Sequence, residues 1–186
     1  MDKHTQFAAD LGPVAAPLVI NADTVSQALP PRDALETVAE VLGAYASRGV
    51  FQDYRMVKRK ADIAEFHFGW LYNQPFTLTC DLKRKRLSLP DLLPRIEKNS
   101  LMYKELKAFL KARSDPGLPD HRRVDSQLAT VESRLRGGLV SIELSLLGDD
   151  YELGTRKLVN VVHELFLFMN EYWADYMWEN FRLNME

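Results

Sequence analysis

Length, composition and charge already exclude several classes of protein. The chain has 186 residues, of which 46% are apolar and 27% are charged. This is ordinary usage for one globular domain, and a chain of this length can bury about 70% of its extended surface without a disulfide or metal. With 24 Lys and Arg against 26 Asp and Glu, the net charge is −2. A global positive field for nucleic acid or membranes is therefore excluded, and only local patches remain.

Cysteine usage and hydropathy indicate the compartment. Cys80 is the single cysteine, so an internal disulfide is excluded, and a reducing compartment is favoured. The apolar run at residues 14–20 is short and contains Pro17, which is untypical of a signal peptide. No apolar run reaches the roughly 18 residues that a membrane helix needs. We therefore expect a cytoplasmic protein with no membrane partner.

The first 30 residues differ in character from the rest. Residues 1–30 contain three prolines and many small side chains, without a sustained hydrophobic period. We expect an N-terminal arm there, and a single α+β domain over residues 31–186. A first helix is predicted over residues 31–48, because Pro31 suits a first helical turn and Gly49 suits a helix stop.

A two-residue period next predicts a meander of three antiparallel strands. They fall at residues 54–57, 63–72 and 76–82, and the third alternates an apolar face with a wet one. Pro90 and Pro94 follow and are predicted to break the chain. The meander is therefore expected to end before these prolines.

The second half predicts a helix, a hairpin and a long final helix. A helix at residues 100–113 precedes strands at 128–135 and 139–147, which Gly137-Gly138 joins as a turn, and the last helix covers 152–181. The order α-βββ-α-ββ-α packs most simply as a five-stranded antiparallel sheet with helices on one face. The following side chains are expected to be buried together: Phe66, Phe68, Leu78, Cys80, Ile142, Leu144, Leu165 and Met169.

This order of elements resembles the type III secretion chaperone-like fold, which bacterial YbjN-like proteins share. The resemblance covers about residues 31–181 and lies in the alternating strands at 64–72, 76–82 and 140–146 and in the helix at 158–181. It implies a non-enzymatic protein-binding module, chaperone-like or adaptor-like, that forms a homodimer.

Two short runs resemble uncharacterised bacterial proteins. They are Asp91-Leu92-Leu93-Pro94 and Gly154-Thr155-Arg156-Lys157-Leu158-Val159-Asn160. That family has no assigned activity, so this second resemblance implies none here, and a fold alone does not carry a function.

Seven cations are predicted to meet at one end of the sheet. In a meander, the first turn and the end of the third strand lie at the same end, so two basic runs converge there. This basic rim suits phosphate groups, nucleic acid or an acidic protein segment. The alternative is two well-solvated hairpin ends, and lysines also protect sheet edges from aggregation. Its members are Lys58, Arg59, Lys60, Lys83, Arg84, Lys85 and Arg86.

Aromatic side chains crowd the final turns of the last helix. Trp173, Tyr176, Trp178 and Phe181 spread around the helix at 100° per residue, whereas one sheet covers about one apolar stripe. Some of them are therefore expected to meet a second subunit or a protein partner, with the N-terminal arm as the competitor.

Motifs for catalysis are weak. His163-Glu164 lacks the second histidine of a zinc peptidase helix, because Leu167 occupies that position. Cys80 lies on the apolar face of its strand, which predicts core packing instead of a nucleophile. No metal site and no cofactor are expected.

Glu65 and His67 share the wet face of one predicted strand. Such a pair can serve acid–base chemistry, although it more often belongs to a solvated face. Three functions therefore stay open: a protein-binding module, an adaptor for anionic ligands or nucleic acid, and an enzyme of unknown class.

Overall fold

The computed structural model describes residues 33–182, so the arm predicted at residues 1–30 lies outside the described residues. The helices are α1 (Ala34–Ser47), α2 (Leu101–Ala112), α3 (Tyr151–Tyr172) and α4 (Ala174–Phe181), with a 3-10 turn at Asp120–Arg122 before the hairpin. The strands are β1 (Gln52–Arg59), β2 (Ile63–Trp70), β3 (Gln74–Asp81), β4 (Arg86–Leu93), β5 (Ala129–Arg136) and β6 (Leu139–Leu146).

The strands form one antiparallel sheet in the order β1-β2-β3-β4-β6-β5. The α+β class and the antiparallel pairing are confirmed. The prediction of five strands is wrong, since the described residues form a sheet of six. The extra strand is β4, which joins the meander to the β5–β6 hairpin and leaves β1 and β5 as the two edges.

Pro90 explains why β4 is not predicted from the sequence. A proline donates no backbone hydrogen bond, so it is normally absent from a central strand. Here the register of β4 against β6 shifts between Leu89 and Leu93, and the chain leaves the regular ladder at Pro90. The next amide, that of Asp91, donates to the Ser141 hydroxyl at 3.0 Å. The irregularity therefore accommodates a residue that a regular ladder would reject.

Helix starts follow the capping chemistry of the sequence. The side chain of Asp33 accepts from the backbone N–H of Leu35 and opens α1. Ser100 opens α2 in the same way, and Asp150 accepts from Leu153 at the start of α3. Each polar cap satisfies an amide that has no partner inside its helix.

The final helix predicted at residues 152–181 is two helices. Trp173 leaves the helical region, with φ −134° and ψ 44°, and separates α3 from α4. Neither glycine nor proline marks this break in the sequence. The break redirects α4 so that Met177 and Phe181 are buried in the core.

The apolar core lies between the sheet and its helices. All eight side chains predicted to be buried together belong to one buried cluster, which confirms the strand and helix registers. Cys80 is among them, and burial, followed by the charges of Asp81 and Asp33, raises the pKa of its thiol to about 12. The thiol is therefore protonated at neutral pH, as a core residue should be.

Candidate functional site

The seven residues of the basic rim do meet at one end of the sheet. The turn between β1 and β2 lies beside the turn between β3 and β4, because the Leu82 N–H donates to the Asp62 carbonyl at 2.8 Å. Lys83 then reaches across to the Asp62 carboxylate at 3.0 Å. The convergence expected from meander connectivity is therefore present.

Carboxylates compensate most of the charge of this rim. Asp81 holds Arg84 at 2.9 Å, and although desolvation acts to raise the pKa of Asp81, hydrogen bonds and charge from Arg84 lower it overall. Within residues 33–182, only Lys58 and Lys60 of the seven have no ion pair. The rim thus offers a polyanion fewer free cations than its sequence suggests, and the anion-adaptor function stays a prediction. The other pairs are Arg59–Asp33, Lys83–Asp62, Lys85–Asp149 and Arg86–Glu143.

The C-terminal aromatic residues mainly contact other parts of the same chain. The Trp173 indole donates to Glu105 at 3.1 Å, and the Tyr176 hydroxyl donates to the Pro94 carbonyl at 2.8 Å. Burial raises the pKa of Tyr176. Phe181 is 8% exposed, whereas Trp178 is 43% exposed. Three of the four therefore have partners within one chain, and Trp178 is the member left for another surface.

The polar pair of β2 lies on the open face of the sheet. His67 Nε2 is 3.1 Å from Glu65 Oε1. A shallow depression of about 410 Å³ lies beside them and is lined by Asp53, Arg55 and His67 with the β2–β3 turn. The depression brings His67 and Arg55 together, as their cross-strand register requires. Among the described residues that line it, Asp53, His67 and Thr77 carry groups that could take part in catalysis, and the enzyme of unknown class stays a prediction.

His163 has a packing role. Its ring stacks on Trp70 with the centroids 6.4 Å apart. In the part of the chain that the structure describes, no group of three or more His, Cys, Asp and Glu side chains is placed to hold a metal ion.

A groove with an apolar floor lies between α2 and β5. Its volume is about 410 Å³. Five consecutive strand residues, 129–133, line it. Because consecutive strand residues point to opposite faces, a groove lined by all five runs along the edge of the strand. Leu110, Val124 and Val131 form its apolar floor, and Lys107 and Lys111 line it on the α2 side.

The hairpin geometry decides which backbone groups face this groove. Gly137 and Gly138 both have positive φ, at 58° and 80°, as a two-residue type I′ turn requires. In such a turn the flanking residues Arg136 and Leu139 form a hydrogen-bonded pair. Counting back from this pair towards the start of β5, every second pair of the ladder is also hydrogen-bonded. The Leu147 N–H, which donates to the Leu128 carbonyl at 2.9 Å, fits this alternation.

Val131 and Ser133 occupy the alternate, unbonded pairs of the ladder. Their N–H and C=O groups therefore point away from β6 and into the groove. Within residues 33–182 these groups have no backbone partner outside the strand ladders. The groove thus presents backbone donors and acceptors that have no protein partner among the described residues, above an apolar floor.

The opposite edge of the sheet is built differently. β1 carries two register shifts against β2, between Gln52 and Arg55 and between Met56 and Lys58, and Asp53 has a φ of 50°. Irregularities and charges of this kind discourage another strand from pairing. β5 pairs with β6 over eight successive residues without a shift, so it is the regular edge of the two.

Sequence reasoning missed this groove. It assigned the hairpin correctly but did not place β5 at an edge, because that position depends on the pairing of β4 with β6. Two signals were present: the Gly137-Gly138 turn, which fixes the parity of the ladder, and the lysines at 104, 107 and 111, whose spacing places them on one side of α2.

Comparison with models of protein families, with curated proteins and with solved structures finds no match for this chain. Among the described helices, none combines the length and apolarity that a membrane span requires.

Proposed function

We propose that this chain is a non-enzymatic protein-binding module that accepts an extended segment of a partner protein along the free edge of β5. The observation that carries the proposal is the row of outward-facing N–H and C=O groups at Val131 and Ser133, beside an open groove. Addition of a strand to an exposed sheet edge is a recurrent mode of peptide recognition. It is consistent with the chaperone-like or adaptor-like role expected from the element order.

Two physical terms favour a bound strand. Each backbone hydrogen bond formed at the edge contributes about 0.5–1.5 kcal/mol net. Side chains of the segment that point towards α2 cover the floor formed by Leu110, Val124 and Val131, and removing apolar surface from water contributes about 25 cal/mol per Å². Backbone bonds supply affinity for many sequences, while the floor selects among them.

Val131→Pro is expected to weaken this binding strongly without unfolding the protein. Proline removes the outward N–H of Val131 and leaves the ladder with β6 intact, and edge strands tolerate proline at such positions. Decapeptides selected on the parent protein from a random phage-displayed library are expected to bind the variant about tenfold more weakly or worse, a change of about 1.4 kcal/mol.

Val131→Ala is the matched control, because it shortens the same side chain and keeps the N–H. It should retain most of the affinity, and circular dichroism should show both variants folded. Equal affinity of the selected peptides for the proline variant and the parent would contradict strand addition, and so would a library that yields no binder.

A second copy of the chain is the competing occupant of the same edge. If two β5 strands pair across a two-fold axis, sedimentation equilibrium of the parent gives a dimer mass and Val131→Pro gives a monomer. The homodimer expected from the sequence then uses β5 in place of the C-terminal aromatic residues. A monomer mass for both proteins leaves the edge free for a partner.

A further inference from the structure

We infer that the segment bound at β5 is acidic, with carboxylates at the alternate positions that point towards α2. The inference rests on the proposed function, since it specifies the chemistry of the segment that the edge receives. It is carried by a row of lysines without carboxylate partners and by a buried hydroxyl without a hydrogen-bond partner, both beside the groove.

Lys104, Lys107 and Lys111 follow one another at three-residue and four-residue intervals, so they share one side of α2. Lys107 and Lys111 line the groove directly. Over residues 33–182, none of the three forms an ion pair with a carboxylate, and Lys107 instead lies 4.9 Å from the centre of the Tyr103 ring. This row contrasts with the basic rim, in which five of seven cations have carboxylate partners.

Ser133 adds a donor at the base of the groove. It lies opposite Ile142, whose side chain is fully buried, so Ser133 points to the helix side of the sheet. Its Oγ is buried and has no hydrogen-bond partner within the described residues. An unpartnered buried hydroxyl is costly, and a carboxylate from an added strand would accept a hydrogen bond from it between the lysines.

The register of an added strand places the carboxylates. A residue directly opposite Val131 or Ser133 points to the same face as they do, which is the α2 side. Glu132 also lines the groove, but it belongs to the other face, where it lies opposite Glu143. The Glu132 carboxylate therefore faces the uncharged positions of the bound segment, which alternate with the acidic positions.

Charge and backbone can be tested separately with two defined peptides. The probe is a fluorescein-labelled peptide of four Thr-Glu repeats, measured by anisotropy at low ionic strength, with the Thr-Gln counterpart as the neutral comparison. The Thr-Glu peptide is expected to bind about tenfold more tightly, which corresponds to two ion pairs acting together. The Lys107→Gln/Lys111→Gln double variant should remove this difference.

Lys60→Gln/Lys83→Gln is the matched control, because it removes two cations of the basic rim, neither of which lines the groove. It should leave the preference for Thr-Glu unchanged. Added salt should weaken Thr-Glu binding to the parent protein and have little effect on the Lys107→Gln/Lys111→Gln variant.

The outcomes separate the two proposals. If both peptides bind equally and both are lost with Val131→Pro, strand addition stands and the acidic preference is overturned. If Thr-Glu binds but Val131→Pro has no effect, the lysines hold an anion without a strand, and both proposals are overturned. Tighter binding of single-stranded DNA than of Thr-Glu through the same lysines overturns the protein partner, and failure of both peptides to bind overturns the acidic segment.

Discussion

Leu144→Ala is expected to lower the free energy of unfolding by about 2–5 kcal/mol. Leu144 is 0% exposed and lies on β6 between Leu87 of β4 and Val131 of β5. Both neighbouring strands are held by ladder hydrogen bonds, so they cannot move in to fill the space. The variant therefore loses the transfer free energy of the removed methyl groups and also retains a cavity.

Leu139→Ala is the control for this experiment, because it is the same substitution on the same strand at a position that is 37% exposed. Urea denaturation followed by circular dichroism should give a loss below about 1 kcal/mol there. Equal losses for the two variants would contradict the assignment of Leu144 to the core.

Glu164→Ala is expected to lower the free energy of unfolding by about 1–3 kcal/mol, because it leaves the buried guanidinium of Arg113 without a compensating charge. Glu164 contacts Arg122, and its Oε2 lies 3.8 Å from Nη1 of Arg113. The Arg113 side chain is 10% exposed and lies over the Phe109 ring. Burial lowers the pKa of Arg113, with a contribution from Arg122, while Glu164 acts to raise it.

A second substitution distinguishes a charge effect from lost packing. Arg113→Met in the Glu164→Ala background removes the uncompensated charge and keeps most of the apolar stem, so it should restore part of the lost stability. Glu152→Ala is the control on the exposed side of the same helix, where Glu152 pairs with Arg156. That change should cost less than about 0.5 kcal/mol. A double variant less stable than Glu164→Ala would contradict the charge explanation.

The hydrophobic period and the helix-capping residues were sufficient to predict most of the helices and strands. Phe66 and Phe68 alternate with polar neighbours, and Asp150 precedes an apolar helical period, so the local sequence carries the information. Pro90 conceals β4, because the rule against proline in a central strand holds only for a regular ladder. Leu87 and Leu89, alternating with polar residues, were the weaker signal that the prolines outweighed.

The candidate site depends on facts that local sequence does not contain. Asp62 and Asp81 could be named from the sequence as neighbours of the rim, but Lys85 and Arg86 are compensated by Asp149 and Glu143, which lie far along the chain. The outward direction of the Val131 amide follows from hairpin parity, and its exposure follows from the place of β5 at the edge. Edges are set by pairing between distant segments, and a one-dimensional pattern does not report that pairing.

The irregular β4 also has a consequence for synthesis of the chain. β4 lies in the centre of the finished sheet, but β6 begins more than 40 residues later. During translation, the meander of β1 to β4 therefore emerges first, with β4 as its outermost strand. Pro90 has no N–H to offer, and Asp91 turns the backbone to a φ of 52°, so the incomplete sheet presents a poor template to other nascent chains. Pro90, which made β4 hard to predict from the sequence, thus disfavours pairing of β4 with other chains until β6 has been synthesised.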